Sequence, residues 1–118
     1  MEGLKGIYEV VLPKVADGAS HVYHLFTIRT PRRDALQQYL ADKGIETMIH
    51  YLIPPHLQKA FQHLGYQKGD FPVAEEIANT TLSLPVFIGL QKNDVNKVCD
   101  AVNSFFQGNR SHDFASLL

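Results

Sequence analysis

The run His21-Val-Tyr-His-Leu-Phe-Thr-Ile-Arg-Thr30 places the tightest limit on what this chain can fold into. Its two alternating sets, Val22/His24/Phe26/Ile28 and Tyr23/Leu25/Thr27/Arg29, are both largely apolar, so a strand here must be covered on both sides. A helix follows at once. Thr30-Pro31 supplies an N-cap with proline at the first helical position, Ala35, Leu36, Tyr39 and Leu40 recur at helical spacing, and Gly44 provides a stop, which predicts a helix from Pro31 to Lys43. Ile45 to Tyr51 then returns to strand.

The remaining elements are short and well punctuated. Ile7 to Leu12 is a β-rich run closed by Pro13, with a turn at Asp17-Gly18. Leu57, Ala60, Phe61 and Leu64 predict a short amphipathic helix ending before Gly65, and Gln67 to Asp70 a polar loop. Asp70 and Pro72 open a helix with Val73, Ala74, Ile77, Ala78 and Thr81 on its apolar face, running up to Leu82-Ser-Leu-Pro85; Val86 to Ile88 is a short extended segment. The last helix starts near Asn93, buries Val95, Val98, Cys99, Val102, Phe105 and Phe106 on one face, and ends at Gly108. Asn109 to Leu118 lacks periodicity and is expected to be a loosely held tail. Short strands separated by helices predict an α/β fold of the α+β type, in which helices pack on a small, mainly antiparallel sheet of about three strands.

Length and charge then bound the function. With 118 residues, 45% of them hydrophobic, the chain can bury a core as one domain without metal or disulfide staples. A formal net charge of -1 disfavours nucleic acid and anionic membranes as partners. The lone Cys99 cannot form an internal disulfide, and between Val98 and Val102 it reads as a small buried hydrophobe in a reducing compartment. No stretch has the length of a membrane span and the start lacks a signal-peptide pattern, so the expected location is the cytoplasm.

The candidate site is the stretch Glu46-Thr-Met-Ile-His-Tyr-Leu-Ile-Pro-Pro-His-Leu-Gln58. A strand fixes the direction of its last side chains, His50 and Tyr51, and the loop after it leaves them open to a ligand. Pro55 fixes its own φ and pushes Pro54 into an extended conformation, so the corner is stiff. An aromatic pair before Pro-Pro also serves as plain packing at a strand exit, and both readings stand on these residues alone. Elsewhere the bland reading prevails. His21 and His24 suit satisfied histidines at a sheet end. The spacing of His50, His56 and His63 fits no zinc pattern. Ser83 lacks a nucleophile context and reads as a helix-end hydrogen bonder. Asp70, Glu75 and Glu76 read as helix-capping acids, and Arg32-Arg33 as a solvated face.

Taken in order, the H-x-x-H-L-F strand, G-I-E-T-x-I-H-Y, P-P-H-L-Q, G-D-F-P-x-A-E and L-S-L-P resemble the C-terminal small domain of the DegT/DnrJ/EryC1/StrS aminotransferases, from about Ile7 to Phe106. The resemblance implies the small domain of a fold type I enzyme that uses pyridoxal phosphate to move an amino group, with glutamate as the expected donor, onto a keto-sugar of a nucleotide-sugar in polysaccharide or antibiotic sugar biosynthesis. It implies three partners: the enzyme's large domain, a second copy in a homo-oligomer, and the nucleotide-sugar. It also implies an active site at a dimer interface, with His50 and Tyr51 approaching the nucleotide-sugar of the partner's site and His56 as a third candidate. An imidazole and a phenol each give a hydrogen bond while their rings pack against sugar or base.

The family's large domain, with its Schiff-base lysine in a Ser-x-x-x-x-Lys setting, is not in these residues. None of Lys5, Lys14, Lys43, Lys59, Lys68, Lys92 and Lys97 stands in that setting. The chain alone is therefore expected to bind no pyridoxal phosphate and to be inactive, with no catalytic residue and no metal of its own. The alternatives are a stand-alone interaction module and a sugar-nucleotide binding domain derived from the same unit.

Overall fold

Ile28 and Leu82 face each other across two antiparallel strands and are both fully buried. These strands are β1 (Phe26–Arg29) and β2 (Thr81–Leu84), paired in the register Phe26↔Leu84 to Arg29↔Thr81. The structure, a computed structural model, describes residues 2–108; the expected tail from Asn109 lies outside the described residues. Three helices complete the frame: α1 (Arg33–Asp42), α2 (Pro72–Thr80) and α3 (Lys92–Gly108).

Because side chains alternate along a strand, Phe26, Ile28, Leu82 and Leu84 share one sheet face. That face joins Leu36 and Leu40 of α1, Val102 and Phe106 of α3, and Leu4 and Ile7 of the N-terminal segment in a single core. The other face carries Thr27, Arg29, Thr81 and Ser83 and is polar, contrary to the expectation of a strand apolar on both sides.

The α+β class is as expected; the strand count differs. Two strands form, and two further segments add one bridge each: Val11 to Arg29 on the outer side of β1, and Met48 to Ser83 on the outer side of β2. The expected strands 7–12 and 45–51 are thus edge segments with a single pairing. The strand expected over His21 to Thr30 shortens to its last part, because the Tyr23 amide donates to His21 Nδ1 and Tyr23 takes a positive φ of 50°, which curls the chain before Phe26. β2 itself occupies residues assigned from sequence to the end of a helix.

Helix ends follow local chemistry. Gly44, at φ +74°, closes α1 by turning its amide back to Ala41 O at 2.9 Å, as Ile45 does to Leu40 O at 2.9 Å. The helix expected over Leu57 to Leu64 is instead two 3-10 turns, Pro55–Leu57 and Lys59–Leu64, and Phe61 and Leu64 are exposed where an apolar buried face was expected.

The arginine pair is not a solvated face. Arg33 is buried at 4% exposure and its Nη1 donates to Ala78 O (3.0 Å) and Thr81 O (3.2 Å) at the junction of α2 and β2. Arg32 lies over the Phe105 ring, 4.4 Å from its centroid. α3 is tied to the N-terminal turn by Asn103 Nδ2, which donates to Gly3 O at 2.8 Å. Cys99 is partly buried against the core, and burial pushes its thiol pKa up.

Candidate functional site

The corner is held at both ends. On the near side, Met48 exchanges backbone hydrogen bonds with Ser83 (Met48 N to Ser83 O 3.1 Å, Ser83 N to Met48 O 2.7 Å), which docks the segment on β2. Two residues on, His50 brings Nδ1 to 2.9 Å from Ser83 Oγ, and Ser83 Oγ lies 3.3 Å from Thr27 Oγ1 on β1. The peptide between His50 and Tyr51 is cis. Tyr51 meets the His50 ring edge-on, with centroids 5.5 Å apart, and is itself 71% exposed. Leu52 and Ile53 beside it are exposed as well.

On the far side Pro54 is buried and extended (φ -65°, ψ 149°), as a residue preceding proline should be. Pro55 starts the 3-10 turn that carries His56 inward. His56 is 8% exposed, stacks at a tilt on Phe71 at 4.9 Å and pairs Nε2 with Glu75 Oε1 at 2.9 Å. The same oxygen accepts the Gly69 amide at 2.7 Å. That amide, and then the His56 imidazole, hold the Glu75 carboxyl below the ordinary carboxylate range. Gly69 sits at φ +99°, a conformation open to glycine, so the G-D-F-P sequence is what lets the loop turn its N–H onto Glu75.

The structure brings His50 and Tyr51 together and places His56 apart from them, buried and paired with Glu75. His56 pins the corner to α2 through Glu75, a partner nineteen residues away that sequence spacing does not reveal. The acidic group also differs from the capping role expected of it: Asp70 accepts the Gln67 amide within its own turn, Glu76 reaches Arg29, and α2 begins at Pro72 after an N-cap residue, Phe71, that makes no side-chain cap bond.

Beside the corner runs an open cleft of about 1040 Å³, walled by Ile45, Met48, His50, Ser83, Phe87 and Lys97 among others. Its wall includes neither Tyr51 nor His56. Among the described residues no group of three His, Cys, Asp or Glu side chains could hold a metal ion, and no helix is long and apolar enough to cross a membrane. Sequence reasoning placed Ser83 at a helix end instead of on a strand and passed over Thr27. The signal was there in Thr81-Leu-Ser-Leu84, whose polar–apolar alternation is that of a strand.

Residues 1–103 match the model of the DegT/DnrJ/EryC1/StrS aminotransferase family. The chain belongs to that family. Among its relatives are the pleiotropic regulatory protein of Geobacillus stearothermophilus, 45% identical over 83% of this chain and 26% of that protein, and the dTDP-3-amino-3,6-dideoxy-alpha-D-galactopyranose transaminase of Aneurinibacillus thermoaerophilus, 44% identical over 80% and 25%. The crystal structure of S. venezuelae DesV in complex with a ketimine intermediate superposes with a TM-score of 0.86 at 39% identity, covering 89% of this chain and 28% of DesV. The chain thus spans about a quarter of the length of the curated relatives it matches.

The family's cofactor, pyridoxal phosphate, does not fit the residues present. A cofactor lysine needs shelter and a tuned environment. All seven lysines of this aminotransferase-family chain lie exposed, two of them paired on the surface with Glu2 (Lys5) and Asp94 (Lys97).

Proposed function

We propose that this chain is the small-domain part of an aminotransferase that passes an amino group from glutamate to a keto-sugar of a nucleotide-sugar, for polysaccharide or antibiotic sugar biosynthesis in the cytoplasm. The observation that carries the reading is the family match over residues 1–103 together with the 44% identity to a dTDP-amino-sugar transaminase. When bound, pyridoxal phosphate supplies the electron sink for amino transfer. In this reading it is held outside this chain, by the large domain.

The contribution of these residues is binding and orientation. The exposed Tyr51 phenol and the His50 imidazole, braced by Ser83, offer hydrogen bonds to sugar hydroxyl or phosphate oxygens across a homodimer interface. His56 serves them indirectly, by fixing the corner on α2. The enzyme containing this chain is expected to convert glutamate and a keto-sugar nucleotide to the amino sugar. The purified 118-residue chain is expected to form no product and to show no pyridoxal phosphate absorbance. A stoichiometric pyridoxyl group fixed by borohydride on one of the seven lysines would overturn this division of labour.

A further inference from the structure

The Tyr23 amide donates to His21 Nδ1 at 2.7 Å, and the direction of that bond is fixed, because a backbone N–H only donates. Nδ1 must therefore present a lone pair, which makes His21 neutral with its one ring proton on Nε2. His21 is exposed, so its Nε2–H is left to water. A second ring proton can go only to Nδ1, where it would point at the Tyr23 N–H and abolish the bond. The local backbone depends on that bond. Tyr23 sits at φ 50°, a left-handed conformation that a residue with a Cβ adopts at a cost, and it is the one non-glycine with positive φ among the described residues. The Tyr23 ring helps to hold the curl, stacked on His21 at 4.4 Å and leaning on Phe26 at 5.8 Å. Against it stands the alternation of residues 21–30, which favours extended backbone.

We propose that His21 is an acid-sensitive catch on this curl: the neutral imidazole holds Tyr23 left-handed, and protonation releases it to the extended backbone that the sequence pattern favours. The curl is present where the imidazole is neutral and is lost as pH falls and the ring takes its second proton. Among the described residues the Tyr23 phenol is the titratable side chain in contact with the ring; no carboxylate or cation forms an ion pair with His21, and His24 makes no hydrogen bond or ring contact with it. The proton that decides is therefore His21's own. Leu25, two residues past Tyr23, belongs to the wall of the cleft beside His50, so release of the catch carries to that cleft.

The test is nuclear magnetic resonance of the labelled 118-residue chain, titrated from about pH 8.5 to about pH 5, on either side of the ordinary histidine value. Imidazole ¹⁵N signals report the His21 protons, and the Tyr23 ¹³Cα and ¹³Cβ shifts separate left-handed from extended backbone. At the upper end Nδ1 is expected unprotonated, Nε2 protonated and Tyr23 left-handed. As Nδ1 takes its proton, Tyr23 should move to extended values along the same curve, and the Leu25 methyl signals should shift with it. His21→Asn supplies a side-chain carbonyl that accepts an amide two residues on and takes no proton in this range, so Tyr23 should stay left-handed throughout. His21→Phe keeps a ring to stack but removes the acceptor, so Tyr23 should be extended throughout. A protonated Nδ1 at the upper end, a Tyr23 unmoved while His21 titrates, or a left-handed Tyr23 in His21→Phe would overturn the proposal. A His21→Asn chain whose Tyr23 still moves with pH would do the same, and Leu25 methyls that stay still while Tyr23 moves would overturn the coupling to the cleft.

Discussion

Replacing Arg33 with methionine should destabilise the chain by about 2–4 kcal/mol, because two buried carbonyls lose a charged donor and regain no water. The figure follows from the geometry. Nη1 serves Ala78 O at 3.0 Å and Thr81 O at 3.2 Å, where the end of α2 becomes β2 and neither carbonyl continues a helical ladder. A hydrogen bond to a charged group is worth about 1.5–3 kcal/mol net, and removing the buried guanidinium's own desolvation cost offsets part of the loss. The neighbouring Asp34 adds little, since its side chain is 85% exposed. Urea unfolding followed by circular dichroism measures the effect. With a slope of about 1.5 kcal/mol per M, the midpoint should fall by roughly 2 M with the slope unchanged. Arg33→Lys keeps the charge but loses the planar fork, and should lie between the two. A loss within about 0.5 kcal/mol for Arg33→Met would refute the claim that this side chain closes the α2–β2 junction.

Two further outcomes are expected. The Glu75 carboxyl has its folded-state pKa depressed, so its contribution is present above the ordinary value of 4.5 and is lost as pH falls through the folded value. Glu75→Gln should therefore have a lower urea midpoint than the natural chain at neutral pH, with the gap closing below about pH 4.5; a gap that stays constant into acid would exclude a role for the charge. The exposed apolar residues Tyr51, Leu52, Ile53, Phe61, Phe87 and Ile88 should drive self-association of the isolated chain. Sedimentation showing only monomer at high concentration, with no binding of a dye for apolar surface, would contradict this.

Much of the architecture was legible because it is written in local signals. α1 follows from Leu36 and Leu40 at helical spacing and the Gly44 stop, and α3 from Val98, Val102 and Phe106. β2 was hidden because Ile77 and Ala78 run into Thr80-Thr81 without a glycine or proline, and Pro85 is the nearest visible breaker. The backbone instead turns extended at Thr81 (φ -75°, ψ 139°), where two β-branched residues favour strand over helix. The flanking strands were overstated for a different reason: pattern reports which residues suit a sheet, while pairing depends on neighbours distant in sequence, and only Val11 and Met48 find one. The site divides in the same way. The adjacency of His50 and Tyr51 is sequential and was read directly. The Ser83–Thr27 and His56–Glu75 contacts join residues 56 and 19 positions apart, which no spacing rule reaches.

The central claim, that His50 and Tyr51 hold the nucleotide-sugar, is tested most directly by separating the two half-reactions in the full-length enzyme. His50→Ala and Tyr51→Phe should each raise KM for the sugar nucleotide by the worth of one lost hydrogen bond, on the order of 1–3 kcal/mol or roughly five- to a hundred-fold. The half-reaction with glutamate should barely change, because the donor is too small to extend to the nucleotide end of the site. Equal damage to both half-reactions, or unchanged kinetics in both, would contradict the account and return the two side chains to packing at a strand exit.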